Sequence, residues 1–139
     1  MKDLYTARVL VSGGRDGAAR SDDGKLDIAL AMPTALGGSG AGANPEQLFA
    51  AGFAGCFTSS IKYVAQQNKL DAGAVEVDAT VTLGLGEEGG YGLKALLDVK
   101  VPGLSGADLD AVITQAKRVC AYSNATRGNV ETTYRINGL

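Results

Sequence analysis

Apolar and polar residues follow regular periods along most of this chain. Tyr5, Ala7, Val9 and Val11 alternate with Thr6, Arg8 and Leu10, which predicts a first strand. Ser12-Gly13-Gly14-Arg15-Asp16-Gly17 reads as a turn, and Asp22-Asp23-Gly24 as another leading into a strand that carries Leu26, Ile28 and Leu30 on one face. Residues 33–43 are irregular and glycine-rich. A long helix is then predicted to about Lys69, with Asp71-Ala72-Gly73 as its exit. Val75, Val77, Ala79, Val81 and Leu83 alternate with polar residues. After the turn from Gly84 to Gly90, Leu93, Ala95, Leu97, Val99 and Val101 do the same, which predicts an antiparallel hairpin. Ser105, with Asp108 three residues on, marks a second helix whose inner face carries Leu109, Val112, Ile113, Ala116 and Cys120, ending near Tyr122-Ser123-Asn124. A last strand runs from Asn129 to Ile136. Strands, helix, hairpin, helix and strand in that order describe an α+β fold with mostly antiparallel sheet, built as one domain over residues 1–139.

The first helix organises the rest. Asn44 suits an N-cap, Pro45 the first helical position, and Gln47 sits where a capping box needs it. Beyond Glu46 no charge appears until Lys62, and Phe49, Phe53, Cys56, Phe57, Ile61 and Val64 share one face. A helix apolar nearly all round belongs inside the protein. Gly52 and Gly55 each cost about 1 kcal/mol of helix propensity. Close approach of another backbone would offset that cost, so a second helix is expected against this one.

Composition narrows the chemistry. Hydrophobic residues at 45% and charged residues at 20% describe an ordinary globular chain. A net charge of −2 gives no electrostatic reason to bind nucleic acid or an anionic membrane. The N-terminal MKDLYTARVLV is too polar for a signal peptide, and no apolar run reaches the roughly 20 residues of a spanning helix, so a cytoplasmic address is expected. The chain has no histidine, which removes the usual catalytic base and the commonest metal ligand, and no metal site is expected. Its two cysteines, Cys56 and Cys120, form no CxxC pair and fit neither a disulfide scaffold nor a zinc ribbon.

Both cysteines fall on the core face of a predicted helix. They read either as inert packing thiols or as a pair that two apolar helices bring within disulfide reach, one thiol a nucleophile and the other its resolving partner. A buried thiol has a raised pKa, so a working one needs a cation nearby. Arg15, in its glycine-flanked turn, is the candidate, and Glu46 either serves the helix dipole or orients that arginine. Ten helical residues, about 15 Å, separate Glu46 from Cys56, so the two cannot touch along one helix. Either the arginine bridges them or a second subunit supplies the Arg15–Glu46 pair. The second arrangement is favoured and places the site at a dimer interface. Gly38-Ser39-Gly40-Ala41-Gly42-Ala43 matches a loose dinucleotide fingerprint but lacks the βαβ context, and reads as structural.

Four stretches together resemble the organic hydroperoxide resistance (Ohr) branch of the OsmC/Ohr family. They are Gly13-Gly14-Arg15-Asp16-Gly17, Asn44-Pro45-Glu46-Gln47-Leu48-Phe49, Ala50-Ala51-Gly52-Phe53-Ala54-Gly55-Cys56-Phe57, and Cys120-Ala121-Tyr122-Ser123-Asn124-Ala125-Thr126-Arg127-Gly128-Asn129. Tyr122-Ser123 after the second cysteine resembles Ohr rather than the broader OsmC branch. Ala121 departs from the pattern, standing where the family usually has proline.

The resemblance implies antiparallel sheets around two buried central helices in an intertwined homodimer. It also implies a thiol-dependent peroxidase for organic and lipid hydroperoxides. Cys56 would be the peroxidatic cysteine and Cys120 the resolving one, closing a redox-active disulfide, with Arg15 and Glu46 holding the thiolate and the peroxide. No bound cofactor is implied; a lipoyl (dihydrolipoamide) dithiol on a lipoylated protein would be the reductant. Phe49, Phe53 and Phe57 are expected to line an apolar approach to Cys56, or else to be plain core packing. Two alternatives stay open: a general OsmC-type peroxidase, and a non-enzymatic binder of apolar ligands.

Overall fold

The computed structural model describes residues 1–139. They divide into two compact units, residues 1–48 and 49–139. The first holds a three-stranded antiparallel sheet of β1 (Val9–Ser12), β2 (Ala18–Ser21) and β3 (Asp27–Ala29) in that order. Register runs from Val9 opposite Ser21 to Ser12 opposite Ala18, and from Ala18 opposite Ala29 to Arg20 opposite Asp27. The predicted first strand is shorter than expected: residues 1–8 pair with nothing in a sheet, and all of β1 is exposed. β2 is an addition, since Ala-Ala-Arg-Ser carries little strand propensity. The glycine-rich loop after β3 is stitched to residues 29–33 by backbone hydrogen bonds, Ala43 N–H to Ala29 O (3.0 Å), Ala31 N–H to Ala43 O (2.9 Å) and Gly40 N–H to Met32 O (3.0 Å). That is the structural role expected of it.

Helix α1 (Pro45–Gln67) begins in the first unit and continues through the second. Its start is a reciprocal capping box: Gln47 N–H donates to Asn44 Oδ1 (2.9 Å) and Asn44 N–H to Gln47 Oε1 (3.2 Å). It ends close to the expected Lys69, whose φ of +57°, with the Leu70 N–H to Ala65 O bond (2.9 Å), closes the last turn.

The second unit packs α1 onto a sheet ordered β4 (Glu76–Leu85), β5 (Tyr91–Lys100) and β6 (Glu131–Ile136). The hairpin is antiparallel as expected, pairing Glu76 with Lys100 through Leu85 with Tyr91. β6 runs parallel to β5, Lys94 opposite Glu131 through Val99 opposite Ile136. Parallel neighbours need a crossover, and α2 (Gly106–Val119) with α3 (Ala121–Thr126) supplies it. The core joins Phe53, Phe57, Ile61 and Val64 of α1 to Leu97 and Val99 of β5, Val112 and Ala116 of α2, and Cys120.

Two expectations about α1 need correction. By length and composition it is long and apolar enough to cross a membrane; its Phe53, Phe57 and Ile61 are fully buried in the core. Nor is it buried all round, because Ala51, Gly55 and Ser59 are exposed along one side. Leu97 has no exposed surface and lies at the centre of this packing. Leu97→Ala is expected to lower stability by about 2–5 kcal/mol in urea unfolding. A loss under about 1 kcal/mol would contradict this packing.

Candidate active site

The second unit brings the two cysteines together. Cys56 lies half-buried at the middle of α1, beside Phe53 and Phe57. Cys120 is not on α2, as the periodicity predicted, but at the break between α2 and α3, in an extended conformation (φ −68°, ψ 118°). Its Sγ caps α3 by accepting the Ser123 N–H at 3.4 Å, and the side chain is fully buried. Cys120 Sγ lies 3.2 Å from Cys56 Sγ, with both thiols free. A disulfide bond is about 2.05 Å long, so a closure of little more than 1 Å would join them.

The two thiols differ electrostatically. Burial pushes the Cys56 thiol up, and the neighbouring Cys120 adds to that, outweighing the backbone N–H groups of Tyr122 and Ala121 that favour its thiolate. Burial opposes ionisation of Cys120 as well, but the N–H and hydroxyl of Ser123, with Cys56 and the Tyr122 N–H, outweigh it and bring that thiol below its ordinary value. Within residues 49–139, Cys120 is therefore the more readily ionised of the pair.

The first unit brings together the other two expected residues. Arg15 Nη1 donates to Glu46 Oε2 (2.9 Å) and Nη2 to Glu46 Oε1 (2.7 Å), a two-pronged ion pair. Hydrogen bonding from Arg15 holds the Glu46 carboxyl below the ordinary glutamate value. The loop that presents Arg15 is a single 3-10 turn, Gly14–Asp16, entered through Gly13 and Gly14 at φ +77° and +57°. At Gly17 a Cβ would overlap the Ser12 carbonyl oxygen. These glycines are a steric requirement of the Arg15 loop. Asp16 Oδ1 accepts the Met32 N–H at 3.2 Å and ties the loop down. The four predicted residues thus form two pairs. No group of three or more Cys, Asp or Glu is placed to hold a metal ion.

The OsmC-like protein family profile matches residues 37–135. The organic hydroperoxide resistance protein of Xanthomonas axonopodis pv. citri is 49% identical over 138 residues, covering 97% of this chain and 96% of that one. Among solved structures, the organic hydroperoxide resistance protein from Elizabethkingia anophelis superposes with a TM-score of 0.92 at 42% identity, covering 98% of each chain. OhrB of Bacillus subtilis gives 0.86 at 38% identity, covering 96% of this chain and 99% of that one. The chain belongs to the OsmC/Ohr family. Its α+β fold is the fold of those structures, and membership in the organic hydroperoxide resistance branch implies a role in peroxide detoxification.

In this OsmC/Ohr chain the aromatic residues of α1 join two ring clusters. Phe49, Phe53 and Tyr122 form one cluster, with ring centroids 6.0 Å, 6.1 Å and 5.9 Å apart. Phe57 turns instead towards Tyr134 of β6, at 5.1 Å. Phe53 and Phe57 have no exposed surface, so they back the cysteines rather than form an open approach; Phe49 and Tyr122 keep some surface. Tyr122, Ser123 and Tyr134 were not singled out in the sequence as site residues. The Tyr122-Ser123 step, one residue beyond Cys120, was the available signal for the first two; Tyr134 reads only as an inward position of a strand. A cleft of about 760 Å³ among Thr82, Leu85 and Tyr91 at the hairpin tip contains neither cysteine.

The expected helix-against-glycine packing is replaced by an aromatic ring. A Cβ on Gly52 would overlap the Tyr122 hydroxyl, whereas one on Gly55 would meet nothing within 4 Å. Gly52→Ala would regain about 1 kcal/mol of helix propensity but displace the Tyr122 ring at a cost of about 1–3 kcal/mol. A net loss of stability on thermal unfolding is the expected result. A net gain would show that Tyr122 does not pack there.

Proposed function

We propose that this chain is a thiol-dependent peroxidase that reduces organic, lipid-type hydroperoxides to alcohols. The observation that carries the reading is the 3.2 Å approach of Cys56 Sγ and Cys120 Sγ inside the second unit. The Cys56 thiolate attacks the O–O bond of the hydroperoxide, releasing the alcohol and leaving Cys56 as a sulfenic acid. Cys120 then attacks the Cys56 sulfur, and the hydroxyl departs with a proton as water. Both cysteines end in one disulfide before a second peroxide can over-oxidise Cys56. A dithiol of the lipoyl type, carried by a lipoylated protein, restores the two thiols. The protein itself carries no cofactor in this reading, and a cytoplasmic setting keeps the resting thiols reduced.

Attack needs an ionised Cys56, which burial disfavours. Arg15, held in place by Glu46, is the cation proposed to supply that ionisation and to orient the peroxide. The length of α1 between Glu46 and Cys56 favours delivery of the Arg15–Glu46 pair by a second subunit, and hence an intertwined homodimer of the 1–139 domain. Uncovered apolar side chains support a homodimer: Leu4, Tyr5, Val9, Leu10 and Val11 are all exposed in the single chain. Phe49 and Tyr122, backed by Phe53 and Phe57, form the proposed apolar wall that favours bulky hydroperoxides over hydrogen peroxide.

Cys56→Ser is expected to abolish turnover of cumene hydroperoxide with dihydrolipoamide, and Cys120→Ser to allow one turnover followed by inactivation. Intact mass after one equivalent of peroxide is expected to fall by two hydrogens through an intramolecular disulfide. Unchanged thiols would overturn the peroxidase and favour an apolar-ligand binder. Equal rates with hydrogen peroxide and cumene hydroperoxide would favour a general OsmC-type peroxidase.

A further inference from the structure

Behind Cys120 the second unit holds a row of hydroxyl groups that the proposed peroxide chemistry leaves unused. Ser123 is buried, and its N–H donates to Cys120 Sγ at 3.4 Å. Ser123 Oγ lies 2.9 Å from the Tyr134 hydroxyl, and either can donate to the other. Beyond the phenol stands Lys117, its Nζ 4.3 Å from the Tyr134 ring centroid. Arg127 is held nearby through Asn124 Oδ1 (2.8 Å) and the Lys117 carbonyl (2.7 Å). A cleft of about 210 Å³ lined by Lys117, Ser123, Thr126, Arg127 and Tyr134 opens onto these hydroxyls. The titratable and charged groups around Cys120 are therefore Cys56 from α1, Tyr122 from α3, Tyr134 from β6, Lys117 from α2 and Arg127 after α3. The Tyr134 hydroxyl ties down the Ser123 side chain, and the Ser123 N–H points at the sulfur. That bond is strongest when the sulfur is an anion.

We propose that Ser123, with Tyr134 as its positioning residue, holds Cys120 as the leaving thiolate when the Cys56–Cys120 disulfide is reduced, so that the incoming dithiol attacks Cys56. The inference rests on the peroxidase reading for its setting. Access and leaving-group quality select the same direction. Cys120 is fully buried whereas Cys56 is partly exposed, and exchange is faster when the departing sulfur is the better-stabilised thiolate. A donor thiolate forms a bond to Cys56 Sγ, the Cys56–Cys120 bond breaks, and its electron pair goes to Cys120. The second donor thiol attacks the donor sulfur attached to Cys56, closing a cyclic disulfide and releasing Cys56. The dithiol is oxidised by two electrons and the protein disulfide reduced by two. One proton from the dithiol ends on Cys56 and the other, by way of solvent, on Cys120.

Because the test begins from a disulfide made with diamide, it does not depend on peroxide turnover. Brief exposure of the oxidised full-length chain to 2-mercaptoethanol, followed by acid quench and peptide mapping, is expected to place the mixed disulfide on Cys56. A mixed disulfide on Cys120 would overturn the proposal. Reduction by dihydrolipoamide is expected to be roughly tenfold slower at neutral pH in Ser123→Ala, with its pH profile displaced upward. A smaller change in the same direction is expected in Tyr134→Phe, and recovery in Ser123→Thr. Wild-type rates and an unmoved pH profile in the alanine and phenylalanine variants would also overturn it. If those variants fail to fold, the mapping on the unaltered chain still decides. Failure of peroxide to close the disulfide that diamide closes would instead sink the peroxidase reading.

Discussion

The contact between Cys56 Sγ and Cys120 Sγ constrains everything else in residues 49–139. Two sulfurs 3.2 Å apart leave almost no freedom in the elements that carry them. One is fixed by the middle of a 23-residue helix whose Phe53, Phe57 and Ile61 are fully buried against the sheet. The other is fixed by a break between two helices, where its own Sγ serves as the cap of the second. Well-packed cores resist displacement, so the spacing is held by the surrounding side chains rather than by a covalent bond between the sulfurs.

Placing the thiols is only half of what a redox pair requires; their ionisation must also differ. Burial acts on both, but Ser123 outweighs it at Cys120, whereas the N–H groups of Tyr122 and Ala121 do not outweigh it at Cys56. The thiol with compensation is sealed inside, and the thiol without it is the one with exposed surface. That division suits a sulfur that leaves and attacks from within and another that meets outside reagents. It also explains why the peroxidase reading needs Arg15. The glycines at 13, 14 and 17 serve one purpose, to let the backbone turn tightly enough to present that guanidinium to Glu46.

Much of this was legible in the sequence where the signal is local. The capping box at Asn44 and Gln47, the β4–β5 hairpin and the alternation in β6 are short-range patterns, and the structure contains each of them. What depends on distant partners was less legible. The parallel pairing of β6 cannot be read from its own residues. The burial of α1 was overstated because an apolar helix surface and a buried one look alike in sequence, and Ala51, Gly55 and Ser59 are exposed. The break at Cys120 was missed for a local reason. Leu109, Val112, Ile113 and Ala116 set a helical period that Cys120 continues, and alanine at the first position of α3 gives no sign of a new helix. The helices separate there even so. At Gly52 the close approach was anticipated but its partner was not, since only the fold brings the Tyr122 ring to that position.

The central claim is that the native fold, and not the sequence separation of 64 residues, holds the two sulfurs in reach of one another. The most direct measurement is the effective concentration of one thiol at the other, obtained from equilibrium with reduced and oxidised glutathione in the native chain and again in denaturant. The native value is expected to exceed the denatured one by at least about a thousandfold. Equal values in the two states would contradict the account.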